Sequence, residues 1–351
     1  MTNLVLLKPQ NKGENEERLT HVLERAIGRI PHEVISTADE FERADLKGKR
    51  LIFAVSLGAS GINIEHYEIL KKIRLDANCF DGSVGGAIVD GGSEFHTKGA
   101  ARELVLSANM SGCTFVGKSL VEGTGTLKNF NTIAKNLSSD NLGAYAASAE
   151  SLVKRVAEFE QTANSEQRIL MIHAGKSESS NTIMLWDMVK KHLGNAKVSE
   201  VSLLEGEIKD CKGCPYTMCR HFGEQQSCFY GGVITERVYP EILACDALVV
   251  VSPNYNDAAP AYITAMINRL TSLSIVNQLE GKRLYAVVVS GYSGGDLVAM
   301  QLIGALNMNK PFILPPKFAF FETANDAGEI KKIPGIEKVA EGFARGFVCS
   351  N

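Results

Sequence analysis

The sequence predicts an α/β protein of two tandem domains, each a three-layer structure with a five-stranded parallel sheet between helices. Apolar segments of strand length alternate with amphipathic segments of helix length along the chain. The same order of elements then begins again after a polar stretch near the middle. The length of 351 residues suits two domains of ordinary size.

The first half of the chain contains five apolar segments that predict strands. Because these segments alternate with amphipathic ones, we expect helices to cover both faces of the sheet. The strands are expected at 4–7, 32–36, 51–55, 84–89 and 114–116, and the helices at about 16–27, 65–73, 98–109 and 144–160.

The polar stretch 161–167 predicts a boundary between domains 1–162 and 167–351. In the second half, Val89-Asp-Gly-Gly-Ser93 finds a counterpart in Val289-Ser-Gly-Tyr-Ser-Gly-Gly295, a similarity of pattern that indicates tandem duplication. The strands of this half are expected at 168–172, 198–203, 247–251, 284–289 and 317–320, and the helices at about 182–193, 261–273 and 297–307.

Composition excludes several classes of partner. The formal net charge is −3 and there is no basic block, so nucleic acid is not expected as a partner. No apolar run reaches the roughly 18 residues of a membrane helix, so no membrane partner is expected. The first eight residues are typical of a strand rather than a signal peptide, which predicts a cytoplasmic protein.

Four of the eight cysteines, Cys211, Cys214, Cys219 and Cys228, lie within eighteen residues with the spacing C-x2-C-x4-C-x8-C. In a reducing compartment such clustering favours metal or redox chemistry over disulfides. Thiolates are the usual ligands of a [4Fe–4S] cluster, which is the leading interpretation. A closed tetrahedral zinc site is the main alternative, and unligated cysteines are another.

Other residues around this cluster have weaker signals. His221 is a candidate to replace one thiolate ligand, but a lone His is more often a satisfied surface residue. Lys212 and Arg220 are expected to place positive charge near the cluster. The four remaining cysteines are scattered and are interpreted as buried or incidental thiols; they are Cys79, Cys113, Cys245 and Cys349.

A ligand of an open parallel sheet lies beyond the carboxyl ends of its strands, near strands 1 and 3. In the second half, the turn after strand 1 is rich in hydroxyl groups and opens a helix, so it suits a phosphate. A simple helix N-cap is the alternative interpretation. The candidate phosphate ligands are Ser177, Ser179, Ser180, Asn181 and Thr182.

Two further loops are predicted to reach the same place. The loop after strand 3 carries amide groups and an aromatic ring that suit the edge and face of a flavin, although it is also compatible with an ordinary turn. The loop after strand 4 is rich in glycine, which permits the close approach of a flat ligand. The candidates are Pro253, Asn254, Tyr255, Asn256 and Asp257 in the first of these loops, and Ser290, Gly291, Tyr292, Ser293, Gly294, Gly295 and Asp296 in the other.

With these three loops and the cysteines, the sequence resembles the NAD(P)H-dependent FMN reductases of flavodoxin-like fold, and especially their iron–sulfur flavoprotein branch. The resemblance covers about 168–325. It implies bound FMN, a flavodoxin-like fold in each domain and often a homo-oligomer with FMN near a subunit interface. The branch usually spaces its cysteines more tightly than the x4 and x8 gaps found here.

The resemblance implies an FMN-dependent oxidoreductase that passes electrons from NAD(P)H through FMN, and through an iron–sulfur cluster, to a small-molecule or protein acceptor. One alternative is an electron-transfer flavoprotein that a partner such as ferredoxin reduces. Another is a zinc-stabilised binding module. Tyr255, Tyr292 and Asp257 are placed to contact the ring or substrate, but no residue has a catalytic signature.

The first half is predicted to keep the fold without the cofactor. Its turn after strand 1 has no Ser or Thr, and it carries Glu14, Glu16 and Glu17 where a phosphate would need positive charge. Carboxylates favour a helix N-terminus as phosphates do, and they repel phosphate.

Overall fold

The computed structural model describes residues 4–11, 16–160, 167–176, 179–276 and 278–347. The chain divides into two compact units, Met1–Gln161 and Thr162–Asn351. Most of the stretch expected to separate the domains lies outside the described residues. Each unit contains one five-stranded parallel sheet with flanking helices, so the predicted fold class is confirmed.

The sheet of the first unit has the order β2-β1-β3-β4-β5, and all its strand pairs are parallel. The central strands β3 and β4 are buried almost throughout, as expected for a sheet covered on both faces. The strands are β1 Leu4–Leu7, β2 His32–Ile35, β3 Arg50–Ser56, β4 Val84–Asp90 and β5 Thr114–Gly123. The helices are α1 Glu17–Ile27, α2 Ala38–Arg43, α3 Ile64–Leu75, α4 Thr97–Met110, α5 Asn131–Leu137 and α6 Asn141–Ala157.

Local sequence explains where these helices begin. The Thr37 hydroxyl accepts the backbone N–H of Glu40, and the Glu40 carboxylate accepts that of Thr37, which closes a capping box on α2. Asn63 and Asp140 cap α3 and α6 through their side chains. The short helices α2 and α5 were not predicted, because each is shorter than the window of about 11 residues over which a helical pattern is recognised.

The second unit repeats this topology with the sheet order β10-β9-β8-β6-β7. The first strand of the unit again lies between its second and third strands. The chain direction across the sheet therefore reverses between strands 1 and 3, at a switch point where the sequence predicts the ligand. The strands are β6 Arg168–His173, β7 Lys197–Ser202, β8 Ala247–Pro253, β9 Arg283–Ser290 and β10 Ala319–Thr323. The helices are α7 Asn181–Lys190, α8 Tyr216–Glu224, α9 Tyr239–Ala244, α10 Ala261–Arg269, α11 Thr271–Ile275, α12 Gly295–Leu302 and α13 Ile336–Arg345.

Several features of the second unit differ from the expectation, and among them are the helices α8 and α9, which were not predicted. The helix expected over 261–273 is divided at Leu270 into α10 and α11. The helix expected over 297–307 changes at Ile303 from α12 to a π-helical turn. The C-terminal helix α13 was not predicted, although its buried residues recur every four positions, at Ile336, Ala340 and Ala344.

The two fourth strands end in the loops whose similarity suggested duplication. β4 ends at Asp90 and β9 ends at Ser290, so the two matched motifs occupy equivalent places in the two sheets. Among the helices that the structure describes, none is both long and apolar enough to cross a membrane.

An aromatic cluster closes the C-terminal end of the second unit and provides a test of its packing. Phe347 stacks on Tyr285 with 3.8 Å between ring centroids and meets the edge of Trp186. We expect Phe347→Ala to lower the free energy of unfolding of this unit by about 3–5 kcal/mol, because it leaves a cavity. Trp186 is the single tryptophan of the chain, so its fluorescence during urea unfolding reports this unit.

Val339→Ala is the matched control, because Val339 lies on the neighbouring α13 with 51% of its surface exposed. Its effect should stay within about 0.5 kcal/mol. Coincident unfolding curves for the wild type and Phe347→Ala would contradict the packing described.

Candidate functional site

The candidate site lies at one edge of the second sheet, which we call the binding edge. It is the edge where the carboxyl ends of β6, β8 and β9 lie. The pairings of β8 with β6 and with β9 are both parallel, so the three loops that follow these strands leave the sheet on the same side. The loops predicted from three distant parts of the sequence are thereby brought together.

The turn between β6 and α7 carries the predicted phosphate ligands. Ser180 is the N-cap of α7, and its hydroxyl accepts the backbone N–H of Ile183 at 3.3 Å. The first turn of a helix directs further N–H groups outward, where they favour an anion. Ser179 is exposed in this turn, whereas Ser177 lies outside the described residues. The two interpretations of the turn, helix cap and anion site, are therefore compatible.

Asn181 and Thr182 are buried, so their side chains are less accessible to a ligand than that of Ser179. The Asn181 amide donates to the carbonyl oxygens of Ala324, at 3.2 Å, and Asp326, at 2.8 Å. Its own oxygen accepts the backbone N–H of Ile330. The Asn181 side chain thus fixes the loop after β10 to the start of α7. The contact predicted between Asn181 and a phosphate would therefore be made by its backbone N–H rather than by its side chain.

The loop after β8 is a tight turn supported by two residues with positive φ. The backbones of Tyr255 and Ala258 pair with each other, at 3.1 and 3.2 Å. Asn256 and Asp257, between them, have φ values of 51° and 59°. This region is unusual for residues other than glycine, although Asn and Asp tolerate it best.

Asn254 joins this turn to the glycine-rich loop after β9. Its side-chain amide donates to the carbonyl oxygen of Ser293 at 2.7 Å. Gly294 has a φ of 82°, and a Cβ there would come within 2.8 Å of the Asn254 amide nitrogen and also collide with Asp257. Glycine is therefore required at this position for the two loops to meet. Gly295 and Asp296 follow at the start of α12.

Two buried polar atoms at the binding edge have no hydrogen-bond partner among the described residues. They are the side-chain oxygen of Asn254 and the hydroxyl of Ser290. Buried polar atoms are nearly always paired, so these two atoms mark places where a ligand or an ordered water would complete a hydrogen bond. The donor and acceptor groups along the edge of a flavin ring suit both atoms.

Two tyrosines in these loops are exposed to solvent. Tyr255 is 60% exposed and Tyr292 is 83% exposed, although each ring is largely apolar. Gly291 follows Ser290 directly, and Pro253 ends β8 on the neighbouring strand. Exposed aromatic rings beside a glycine-rich loop can stack on a flat ligand that the loop admits.

The four clustered cysteines line a single cavity of about 290 Å³. Cys211 and Cys214 precede α8, Cys219 lies on it and Cys228 follows it. The remaining lining is mostly apolar or aromatic and includes Phe222, Phe229 and Tyr230 from the same stretch, with Arg269 and Ser272 from α10 and α11. We call residues 209–231 the cysteine segment. The structure thus brings together all four predicted metal ligands.

The thiols of this cavity influence one another. Burial raises the pKa of the Cys219 thiol, and the nearby Cys228, Cys211 and Cys214 raise it further. The Cys214 thiol lies 3.7 Å from the Tyr230 hydroxyl. A raised pKa favours the neutral thiol, so Cys219 would ionise on binding a metal centre, whose positive charge stabilises the thiolate.

No group of three or more His, Cys, Asp or Glu side chains in the described ranges is arranged to hold a metal ion. A single zinc ion needs its sulfurs about 2.3 Å from one point, and the cysteines do not converge in that way. By its chemistry, a set of four thiols around one cavity suits a larger thiolate-bound centre. His221 is not a lining residue; it is exposed and contacts Gln225 at 3.0 Å.

The two cations expected near the cluster differ in their surroundings, since Arg220 is paired on the exposed face of α8 and Lys212 lies over a ring that lines the cavity. Arg220 forms an ion pair with Glu224 at 2.9 Å on the exposed face of α8. The Lys212 ammonium lies 5.8 Å from the centre of the Tyr230 ring. Of the remaining cysteines, Cys113 and Cys245 are buried and Cys79 is half-buried, while Cys349 lies outside the described residues.

The first unit has a carboxylate at the place that corresponds to the phosphate turn. The Glu16 carboxylate accepts the backbone N–H of Asn11 at 3.0 Å and pairs with the Lys8 ammonium at 2.7 Å. A cavity of about 550 Å³ beside it is lined by Glu17 and Glu24 as well as Glu16. Glu14 lies outside the described residues. This negative charge opposes phosphate, so the absence of FMN from the first unit stays a prediction with a physical basis.

The second unit is similar to a known protein family. Residues 167–326 match the family described as NADPH-dependent FMN reductase. This segment resembles the FMN reductases. The resemblance predicted from the three loops is confirmed by the match, which does not distinguish an iron–sulfur branch among the FMN reductases. No curated protein matches the chain.

Several solved structures are similar to about half of the chain. An NAD(P)H:quinone oxidoreductase from Methanothermobacter marburgensis is 12% identical, with a TM-score of 0.39, over 53% of this chain and 100% of its own. An FMN-dependent NADH-azoreductase from Bacillus anthracis in complex with FMN is 12% identical, with a TM-score of 0.35, over 52% and 100%. RosB is 15% identical, with a TM-score of 0.42, over 51% and 76%.

Sequence reasoning missed the residues that α10 and α11 contribute to the cysteine cavity, and Arg269 is the charged one among them. Arg269 lies 41 residues after Cys228 and carries no motif. Its signal was weak but present, because it is a charged residue at the end of a mostly apolar helical segment, beside Met266 and Leu270. Such a residue is usually explained as an exposed helix end, whereas here it is buried.

A paired substitution at Ser180 tests the phosphate turn. Both Asp and Asn are good N-cap residues, so Ser180→Asp and Ser180→Asn should both preserve α7. Only Asp adds a negative charge, which should repel the phosphate and reduce FMN retention at least tenfold. The measurement is FMN per chain, released from the purified variant and quantified by absorbance. Equal FMN content in the two variants would remove the turn from the phosphate site.

Proposed function

We propose that the second unit binds FMN at the binding edge and acts as an NAD(P)H-dependent oxidoreductase. The family match of residues 167–326 supports the cofactor and the reductant class. The observation that carries the proposal is the pair of unpartnered buried atoms on Asn254 and Ser290, on loops that meet at the switch point. A bound flavin would satisfy atoms that otherwise cost stability.

The residues present fit FMN in three places. The N-terminus of α7 would bind the phosphate, because its N–H groups and dipole favour an anion. Asn254 and Ser290 would hold the polar edge of the ring, and Gly291 and Gly294 would admit it. Bound FMN supplies the capacity to accept a hydride and to release electrons, and the protein binds and orients it.

The chain's own contribution is mainly orientation. Asn254 fixes the distance between the loops after β8 and β9, so it sets the width of the space for the ring. The exposed rings of Tyr255 and Tyr292 would cover the outer side of the site and limit the access of water. Neither is assigned a proton transfer, because hydride transfer to a flavin requires no acid from the protein.

We further propose that the cysteine segment holds an iron–sulfur centre. The support is the common cavity lined by Cys211, Cys214, Cys219 and Cys228, together with the apolar residues that shield it. Thiolate ligands in an apolar shell are the usual setting of such centres. The centre would add a place for single electrons on the way to a small-molecule or protein acceptor.

Reduction of the isolated protein is the central test of the oxidoreductase. The anaerobically purified protein should show flavin bands at roughly 370 and 450 nm. Addition of NADH or NADPH alone should bleach the band at roughly 450 nm, because the flavin accepts the hydride directly. A flavin that neither nicotinamide reduces, but that a reduced ferredoxin-type protein does, would replace the proposed enzyme by an electron carrier. A protein that carries no flavin would refute the FMN site.

Removal of one cysteine tests the metal centre separately. Cys219→Ser should lose most of its iron and acid-labile sulfide while it retains FMN, because Cys219 lines the cysteine cavity and not the binding edge. Cys79→Ser is the control, since Cys79 lies in the first unit, and its iron content should equal that of the wild type. Elemental analysis that finds zinc in place of iron would favour the zinc alternative.

A further inference from the structure

Arg269 is a buried cation in the wall of the cysteine cavity. It is the last residue of α10, and only 2% of its surface is exposed. No ion pair is formed by Arg269 among the described residues, and its Nε atom is buried without a hydrogen-bond partner there. Burial of a charge without a counter-charge is costly, so such an arginine indicates that a negative group belongs nearby.

The two ends of the guanidinium group hold the cysteine segment. One Nη atom donates to the carbonyl oxygen of Gly231 at 2.8 Å, and the other donates to that of Lys209 at 3.3 Å. Lys209 and Gly231 are the first and last residues of the cysteine segment. Arg269 therefore draws together the two ends of the stretch that contains all four clustered cysteines.

The negative partner of Arg269 is not a carboxylate of the cavity wall. The described lining residues include no Asp or Glu. Asp210 directly precedes Cys211 but does not line the cavity; its carboxylate accepts the Asn268 amide at 3.0 Å and the backbone N–H of Cys211 at 2.7 Å. The lining does include all four clustered cysteines, so the thiolate sulfurs of a centre bound there would be the negative groups beside the guanidinium.

We propose that Arg269 is the fixed counter-charge of the thiolate-bound centre in this cavity. The inference rests on the proposed iron–sulfur centre and assigns it a tuning residue. A buried cation beside such a centre stabilises its more negative, reduced form. Arg269 should therefore raise the reduction potential of the centre and make it a better acceptor of electrons.

Three variants separate the charge of Arg269 from its hydrogen bonds. Arg269→Gln removes the charge and keeps a side-chain amide donor. Arg269→Lys keeps the charge but replaces the planar guanidinium and its fixed N–H donors by a compact ammonium group. Arg220→Gln is the control, because it removes a charge from the cysteine segment that is exposed and paired with Glu224. Each variant is measured for iron, sulfide and FMN per chain, and for the midpoint potential of the centre by anaerobic titration with electron paramagnetic resonance.

The expected result is that Arg269→Gln lowers the midpoint potential, with at least a tenfold change in the reduction equilibrium. This corresponds to about 59 mV for a one-electron couple. Arg269→Lys should recover most of that shift, and Arg220→Gln should leave the potential near the wild-type value. If Arg269→Gln holds no centre, a wild-type-like potential in Arg269→Lys supports the charge role.

An unchanged potential in Arg269→Gln would overturn the inference and leave the iron–sulfur centre intact. An equal fall in Arg269→Lys and Arg269→Gln would also overturn it, and so would loss of iron from both variants with FMN retained, because each result assigns the residue to positioning alone. A wild-type protein that contains FMN but no iron would refute the proposed centre and the inference with it, while the flavin site would stand.

Discussion

The parallel arrangement of every strand is the constraint on which the rest of each unit depends. Because all strands of a sheet run the same way, all their carboxyl ends reach one edge, and loops that are distant in sequence become neighbours. In the second unit this joins the turn before α7 with the loops after β8 and β9. The hydrogen bond from Asn254 to Ser293 and the close approach at Gly294 are possible only because β8 and β9 pair in parallel register.

The same constraint explains what the sequence could and could not predict. Apolar strands, alternating helices and three loops are local patterns, so the sheet and its binding edge were accessible from the residues. The structural role of Asn181 and the burial of Arg269 were not, because each depends on backbone carbonyls supplied by segments more than thirty residues away. The C-terminal helix α13 was missed although its buried face is regular, and the divided helix at Leu270 shows how packing can interrupt a continuous helical pattern.

The two units use one topology with opposite charge at equivalent places. In the second unit the turn after the first strand presents Ser180 and the N-terminus of α7. In the first unit the Glu16 carboxylate takes a backbone N–H of the corresponding turn, and Arg18 forms a two-pronged ion pair with Asp90 at the end of β4. A few carboxylates can therefore oppose anion binding in one unit while the shared topology is unchanged, because the core depends on strand and helix faces that these side chains do not touch.

The packing of α8 against α11 depends on Gly223, a residue of α8 that has no Cβ atom. Gly223 faces the carbonyl oxygen of Ser272 so closely that a Cβ atom would collide with it. Ser272 also lines the cysteine cavity, and its hydroxyl lies 2.9 Å from that of Tyr239. The contact at Gly223 therefore sets how closely α8 approaches α11 beside the cavity. A bulkier residue there would move α8 away from α11, so the size of the cavity that the cysteines line is set by a position that carries no ligand atom of its own.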